Sequence, residues 1–226
     1  MRVLIVDVGG THVKVAGSWD RVVSRIDSGI TLTASHMVKN VLAIARDWTY
    51  DVVSIGYPGP VRENRPLAEP HNLGGGWRRL NYDHAFGKPV RVINDAAMQA
   101  LGSYEGGRML FLGLGTGLGS AIVSDGRVEP LELAHLPYRK GRSFEKYVGA
   151  AGLERRGKAR WAKHVAIVCD VLRAAMVADY VVLGGGNVNH LDTLPPRTRR
   201  GSNEHAIDGG IRLWAADTVP RALPST

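Results

Sequence analysis

The apolar positions of this chain follow two periods, and these divide it into strands and helices. Short near-continuous apolar runs open at Val3, fill 52–57 and 89–93, open again at Met109 and fill 179–183. Runs of that length, bounded by glycine, proline or polar residues, predict strands buried on both faces. Helical spacing predicts a helix from 34 to about 47, with Thr33 as its cap and Met37, Val41, Leu42, Ile44 and Ala45 on one face. A short helix is expected over 82–86, another over 96–104, and the longest over 160–178, burying Trp161, Val165, Val168, Leu172, Ala175 and Met176. A last helix over 203–215 should pack Ile211, Leu213 and Trp214.

The first apolar run is interrupted in a way that suggests chemistry. VLIVDVGGTHVK, from Val3 to Lys14, reads as strand, tight turn, strand, continuing to a third strand over 21–26. Gly9 and Gly10 leave the turn without Cβ atoms, so a phosphate can approach its amides; Thr11 can donate a hydroxyl, and Asp7 can hold a cation through water. Such turns also join many hairpins that bind nothing. A second copy changes the weight: MLFLGLGTGLGSAIVSDGRV, from Met109 to Val128, lies over Val3 to Val22 at constant offset, with Gly113 on Asp7, Gly115 on Gly9, Ser124 on Ser18, Arg127 on Arg21 and Val128 on Val22. Repetition at half the chain length predicts two similar halves whose glycine turns face one another across a cleft, one for each end of a polyphosphate. Only the first turn has the carboxylate to deal with a metal.

Other stretches add to this picture. Residues 58–77, with Pro58-Gly59-Pro60, Pro66, Pro70 and Gly74 to Gly76, form a long irregular connection of the kind that carries function. Asn94-Asp95 closes a strand where a helix begins, a place where a carboxylate is commonly a helix cap. Gly184-Gly185-Gly186 follows a strand directly and could admit a ring or a sugar phosphate, or be a plain turn. Cys169 falls within the apolar stripe of the longest helix and is expected to be a core residue.

Composition sets outer limits. The 226 residues, 44% hydrophobic, suffice for one large domain or two lobes. The absence of an 18-residue apolar run, of signal-peptide features and of more than one cysteine predicts a cytoplasmic protein without membrane span or disulfide. The formal charge of +8 gathers at 139–142, 154–164 and 197–200. These are solvated faces or attract an anionic substrate. Without helix-turn-helix, zinc finger or aromatic-interleaved basic strand, no nucleic-acid partner is expected.

Seven motifs in this order, DVGGTHVK, GYPGPV, the Asn72-Leu73 to Trp77 segment, NDAAMQALG, GLGTGLGSAI, ELAH and VVLGGGN, resemble the ROK family of sugar kinases, most closely its polyphosphate-glucokinase-like branch. The resemblance spans nearly the whole chain. It implies an α/β, two-lobed fold of the actin-like and hexokinase-like (ribonuclease H-like) type with duplicated βββαβα halves. It would place a first lobe at 1–94, a second at 95–202 and a last helix, about 203–216, returning to the first. Asp95 matches the family's catalytic base, and Asn94, Glu132 and His135 its sugar ligands, with Gly59 on the sugar side. Gly9, Gly10 and Thr11, with Asp7 and Lys14 beside them, match one phosphate turn, and Gly115, Thr116 and Gly117 the other. Gly184, Gly185 and Gly186 match the adenosine-side loop.

The reaction so implied is transfer of a phosphoryl group from ATP or polyphosphate to a hexose hydroxyl, glucose first, with Mg2+ held near Asp7. A homodimer is left open. The family's zinc-binding cysteine cluster is missing, so no zinc is expected and His135 is free for sugar. Ala134 replaces a glycine, and the region after His135 is short. Rival readings are a sugar-responsive regulator, which would need a helix-turn-helix ahead of the first strand, and an actin-like ATPase, which would lack Asn94, Asp95, Glu132 and His135 as a set.

Overall fold

The computed structural model describes residues 1–202 and 204–215. In chain order the first half runs β1 (Val3–Val8), β2 (His12–Gly17), β3 (Ser24–Asp27), α1 (Ala34–Ile44), β4 (Val52–Tyr57), β5 (Val61–Arg62), β6 (Arg65–Pro66), α2 (Tyr82–Phe86), β7 (Val90–Asn94) and α3 (Asp95–Ser103). The second runs β8 (Arg108–Leu114), β9 (Leu118–Ser124), β10 (Arg127–Leu131), a 3₁₀ turn (Leu133–His135), β11 (Pro137–Arg139), β12 (Arg142–Ser143), α4 (Glu145–Val148), α5 (Ala150–Arg156), α6 (Lys158–Ala175), β13 (Tyr180–Gly184), a second 3₁₀ turn (Gly186–His190), β14 (Thr198–Arg200) and α7 (His205–Arg212).

The repetition seen in the sequence is a repetition of topology. One five-stranded sheet has the order β3-β2-β1-β4-β7, the other β10-β9-β8-β13-β14, each an antiparallel three-strand start extended by two parallel strands. The two sheet groups form the two lobes of the hexokinase-like fold. The constant offset, however, holds only along the first strand of each half. Val8 pairs with Val13 across residues 9–12, whereas Leu114 pairs with Leu118 across residues 115–117, so the second turn is one residue shorter. Residues 18–23 then form a loop in which Arg21 is left-handed (φ 57°), while Asp125-Gly126 closes β9 onto β10 directly. The third strand accordingly begins at Ser24, not at residue 21, and the alignments of Ser124, Arg127 and Val128 are matches of letters only.

Strand alternation explains the layers. Leu4, Val6 and Val8 enter a core beneath α1 and α2, while Val3 and Ile5 face the other way, into a central core shared with α3, α7 and the inner side of β8 and β9. On β8 the same period sends Leu110, Leu112 and Leu114 to the α6 core and Met109 and Phe111 to the centre. Asp7 continues the Val3, Ile5 series. A buried carboxylate at the end of a central strand thereby points between the two sheets.

α3 and α7 cross in this central layer with their backbones almost touching. A Cβ on Gly102 would lie 1.8 Å from the His205 carbonyl oxygen, and one on Gly209 would lie 1.7 Å from that of Met98. Ser54 Oγ donates to the Gly210 carbonyl (2.6 Å) and accepts from Trp214 Nε1 (2.9 Å), fixing α7 on β4. Of the expected last helix, residue 203 lies outside the described residues.

Smaller differences have local causes. Thr33 caps α1, its hydroxyl accepting from His36 N (3.2 Å), but the helix ends at Ile44 instead of running to 47. The stretch 141–157, which shows no helical or strand period in the sequence, holds half of a hairpin and two short helices. Cys169 is buried on α6, and burial pushes its thiol up to about 12, so it is a core side chain. Among the described residues no helix is long and apolar enough to cross a membrane.

Candidate active site

A cleft of about 580 Å³ opens between the two sheets. The end of β7 and the start of α3 form its floor. Asn94 caps α3, Oδ1 accepting from Ala97 N (3.1 Å), while Nδ2 donates to the Gly59 carbonyl (3.1 Å). The helix cap and the Pro58-Gly59-Pro60 turn are thus tied by one side chain, a cap contributing about 1 kcal/mol. The cap is Asn94, not Asp95, because only the residue before the first helical turn can reach the N3 amide. On the other side Ala96 approaches β9 so closely that a Cβ on Gly119 would lie 2.8 Å from its methyl.

Asp95 is therefore fixed from two directions. Its Oδ1 accepts from Ala96 N (2.8 Å), leaving Oδ2 for a partner in the cleft. Burial pushes its carboxyl up to about 7, and the neighbouring charge of Asp7 adds to this; the Ala96 and Asp95 amides pull the other way, and Glu132 raises it slightly. Asp7 is 6% exposed and pairs with Lys14, Nζ to Oδ2 3.0 Å, the two facing each other across the β1–β2 ladder.

The glycine turns bound the cleft from both lobes. Gly10 lines it from the first turn and Gly115, Thr116 and Gly117 from the second. The first is closed by Gly9 N on the His12 carbonyl (3.0 Å) and by Ser28 Oγ on the Gly9 carbonyl (2.7 Å). In the second, Asn187 Nδ2 and Ala150 N donate to the Gly115 carbonyl (2.8 and 3.0 Å). Among the described residues the amides of Gly10, Thr11, Thr116 and Gly117 donate to no main-chain acceptor. Unused amides of bare turns are the donors a phosphate needs.

The sugar-side candidates reach the cleft rim. Glu132 and His135 are exposed, 3.9 Å apart at Oε2 and Nε2. His135 Nδ1 also lies 3.9 Å from Glu145 Oε1. Glu145 went unnoticed in the sequence because 141–157 has no periodicity to mark a site; the available signal is that it is the one carboxylate between Glu132 and Glu154. Its Oε2 is 3.0 Å from where a Cβ on Gly117 would stand, so it joins the sugar side to the second turn. The 58–77 loop supplies Pro70, His71, Asn72 and Leu73. It is held by buried Trp77, Nε1 donating to the Gly74 carbonyl (2.6 Å), and by Tyr57 OH on the Ala68 carbonyl (2.7 Å).

Not every candidate lines the cleft. Of Gly184 to Gly186 only Gly185 does, with φ 80° and a Cβ position 2.5 Å from the Leu114 carbonyl, which admits glycine alone. Gly184 is bare because the Phe111 ring occupies its Cβ space (2.4 Å), and Gly186 begins the 3₁₀ turn in open space. Asp7, Gly9, Thr11 and Lys14 stand behind the lining, next to it in sequence or charge.

A model of the ROK family matches residues 3–129, more than half of the chain. The chain belongs to the ROK family. It is 25% identical over 213 positions to the polyphosphate glucokinase of Mycobacterium tuberculosis (strain CDC 1551 / Oshkosh), covering 84% of this chain and 80% of that one. Among solved structures, the inorganic polyphosphate/ATP-glucomannokinase of Arthrobacter sp. strain KM superposes with TM-score 0.71 at 22% identity, over 92% of this chain and 96% of that one. A ROK glucokinase from Streptomyces griseus, solved with glucose and AMPPNP, superposes with TM-score 0.75 at 16% identity, over 94% and 99%. These likenesses establish the ROK fold for the full cleft, including the half beyond the matched family segment.

Proposed function

We propose that this ROK protein is a sugar kinase, a phosphotransferase that moves a phosphoryl group from ATP or polyphosphate to a primary hydroxyl of a hexose, glucose first. The observation that carries the reading is Asp95: a fixed carboxylate with one free oxygen and a pKa of about 7, on the cleft floor between two turns with unused amides. A general base works best when its pKa lies near the working pH.

In the reaction the hexose hydroxyl gives its proton to Asp95 Oδ2 as its oxygen bonds to the terminal phosphorus of the donor. The bond to the penultimate phosphate's oxygen breaks, and that phosphate leaves with the electron pair. Asn94 has a second Nδ2 hydrogen to orient the hydroxyl. Glu132, His135 and Glu145 hold the far side of the ring. The amides of the two turns receive the phosphates, where positioning and neutralisation are most of the catalysis.

Mg2+ suits the residues present. Asp7, paired with the ammonium of Lys14, is a buried carboxylate whose charge reaches the neighbouring Asp95. Mg2+ takes one or two carboxylates plus phosphates and keeps several waters. Asp7 would hold it, and bound there it would neutralise donor charge. Asp7→Asn should then raise the Mg2+ requirement and the donor KM at least tenfold while sugar KM stays within about twofold; an unchanged Mg2+ titration would remove Asp7 from this role.

Glu132→Gln tests the sugar side. Weakening one charge-assisted hydrogen bond, worth about 1.5–3 kcal/mol, should raise sugar KM roughly 10- to 100-fold with little change in donor KM. Equal changes in both constants would take Glu132 out of the sugar site. The reading as a whole is tested by a coupled assay of several hexoses with ATP and with polyphosphate. Transfer to at least one hexose is expected; none from either donor would overturn it and leave a sugar-binding protein without catalysis.

A further inference from the structure

The two glycine turns are held from behind by one device built from unrelated parts. A trans peptide unit is planar, and its carbonyl and its N–H point in opposite directions. Whatever fixes the carbonyl of one residue therefore aims the amide of the next. In the second turn Ala150 N donates to the carbonyls of Gly115 and Thr116 (3.0 and 3.2 Å), and Asn187 Nδ2 donates to that of Gly115 as well (2.8 Å). The amides sharing those peptide units are those of Thr116 and Gly117, both without a main-chain acceptor among the described residues. Gly149 backs the same turn, since a Cβ there would lie 2.7 Å from the Thr116 carbonyl oxygen and 3.2 Å from the Gly117 Cα. The carbonyls face this backing, and the N–H groups face away from it, on the side where residues 115–117 line the cleft.

The first turn reaches the same result with other residues. Ser28 Oγ donates to the Gly9 carbonyl (2.7 Å), and Ser28 N to the Thr11 carbonyl (3.0 Å). The peptide unit that the hydroxyl fixes carries the amide of Gly10, which lines the cleft. Gly9 and Gly115 are superimposed by the sequence repeat, but their partners are not. Ser28 directly follows β3, on the edge of the first sheet, whereas Asn187 stands in the 3₁₀ turn after β13.

The turns need such a device because of what makes them useful. Without Cβ atoms a phosphate can approach, and the same lack leaves ψ of Gly9 and Gly115 almost unrestrained. A side-chain bond to the carbonyl restores the lost direction. We propose that Asn187 and Ser28 are positioning residues of the donor site, each aiming at a phosphoryl oxygen an amide that it does not itself supply. The inference rests on the kinase reading for the identity of the anion, and on peptide geometry alone for the direction of the amides.

Asn187→Ala and Ser28→Ala should each raise the donor KM about tenfold and lower kcat, with sugar KM within twofold of the parent, because the amide is no longer held. Asn187→Asp separates aiming from filling space. It keeps the shape but its carboxylate cannot donate, so it should be impaired at least as much as Asn187→Ala; a parental donor KM in Asn187→Asp would overturn the proposal. The direct readout is the ¹⁵N–¹H spectrum of the intact protein titrated with AMPPNP. In the parent the Gly10 and Thr116 amides should both move downfield. Ser28→Ala should lose the shift at Gly10 and keep that at Thr116, and Asn187→Ala the reverse. Should Asn187→Ala fold poorly, Asn187→Asp carries the same measurement. Both shifts retained in both variants, or both lost together in either, would overturn the proposal. Orthophosphate titrated in place of AMPPNP reads the same two amides: if the parent transferred from no donor yet showed this pattern, the kinase reading would fall and the aiming would stand.

Discussion

Asp95→Asn is expected to lower kcat by about 10²–10⁴-fold while the sugar stays bound. The substitution keeps the shape of the side chain and does not touch the cap of α3, which is Asn94. Its effect on stability should run opposite to its effect on activity. The carboxyl of Asp95 is raised from 3.8 in the unfolded chain to about 7 in the fold. A raised carboxylate means that the native state binds the extra proton, so stability falls as pH rises from about 4 through 7 and stays low above. Asn carries no such penalty. At pH 8 without Mg2+ the variant should be more stable than the parent, by an amount on the order of a few kcal/mol, and the gain should vanish below about pH 4.

The same titration predicts that parental kcat/KM falls tenfold per pH unit below about 7. A cation at Asp7 offsets part of the repulsion, so this limb should move to lower pH as Mg2+ increases. Near-parental turnover in the variant would remove Asp95 as the base. A variant less stable than the parent at pH 8 would show instead that the carboxylate is a structural partner.

How far the molecule could be read from its residues depended on whether the cause was local. Val52–Tyr57 and Tyr82–Phe86 were legible to the residue because apolar runs and flanking polar positions are sufficient to define them. The paired hairpins were legible as well, since a repeated pattern of glycines and apolar residues survives divergence. Their alignment beyond the first strand was not. A turn shorter by one residue changes the partner of every later residue without changing the letters much. Glu145 was hidden because its relation to His135 arises from the fold of β11, β12 and α4, none of which has enough residues to show a period. The arginines at 139–142 were visible as charge, yet their separation from the cleft is visible only in space.

The second large effect concerns the contact on which the two sheets meet. Gly209→Ala should destabilise the protein by about 3 kcal/mol or more, at the upper end for overpacking, because the added methyl would lie 1.7 Å from the Met98 carbonyl oxygen. Backbone cannot rotate away as a side chain can, so α7 must shift from α3, and Ser54 then loses its bond to Gly210. Gly75→Ala is the control: its Cβ would meet nothing within 4 Å, and stability should stay within about 0.5 kcal/mol. Gly102→Ala meets the His205 carbonyl from the α3 side, so the double variant with Gly209→Ala should cost less than the sum of the two, since either methyl alone already parts the helices. Because α3 carries Asp95 at its first residue, the Gly209→Ala protein that remains folded should also show a lowered kcat with the sugar KM less affected. Thermal unfolding at the parental midpoint, together with full activity, would show that α3 and α7 are free to move apart without disturbing the base.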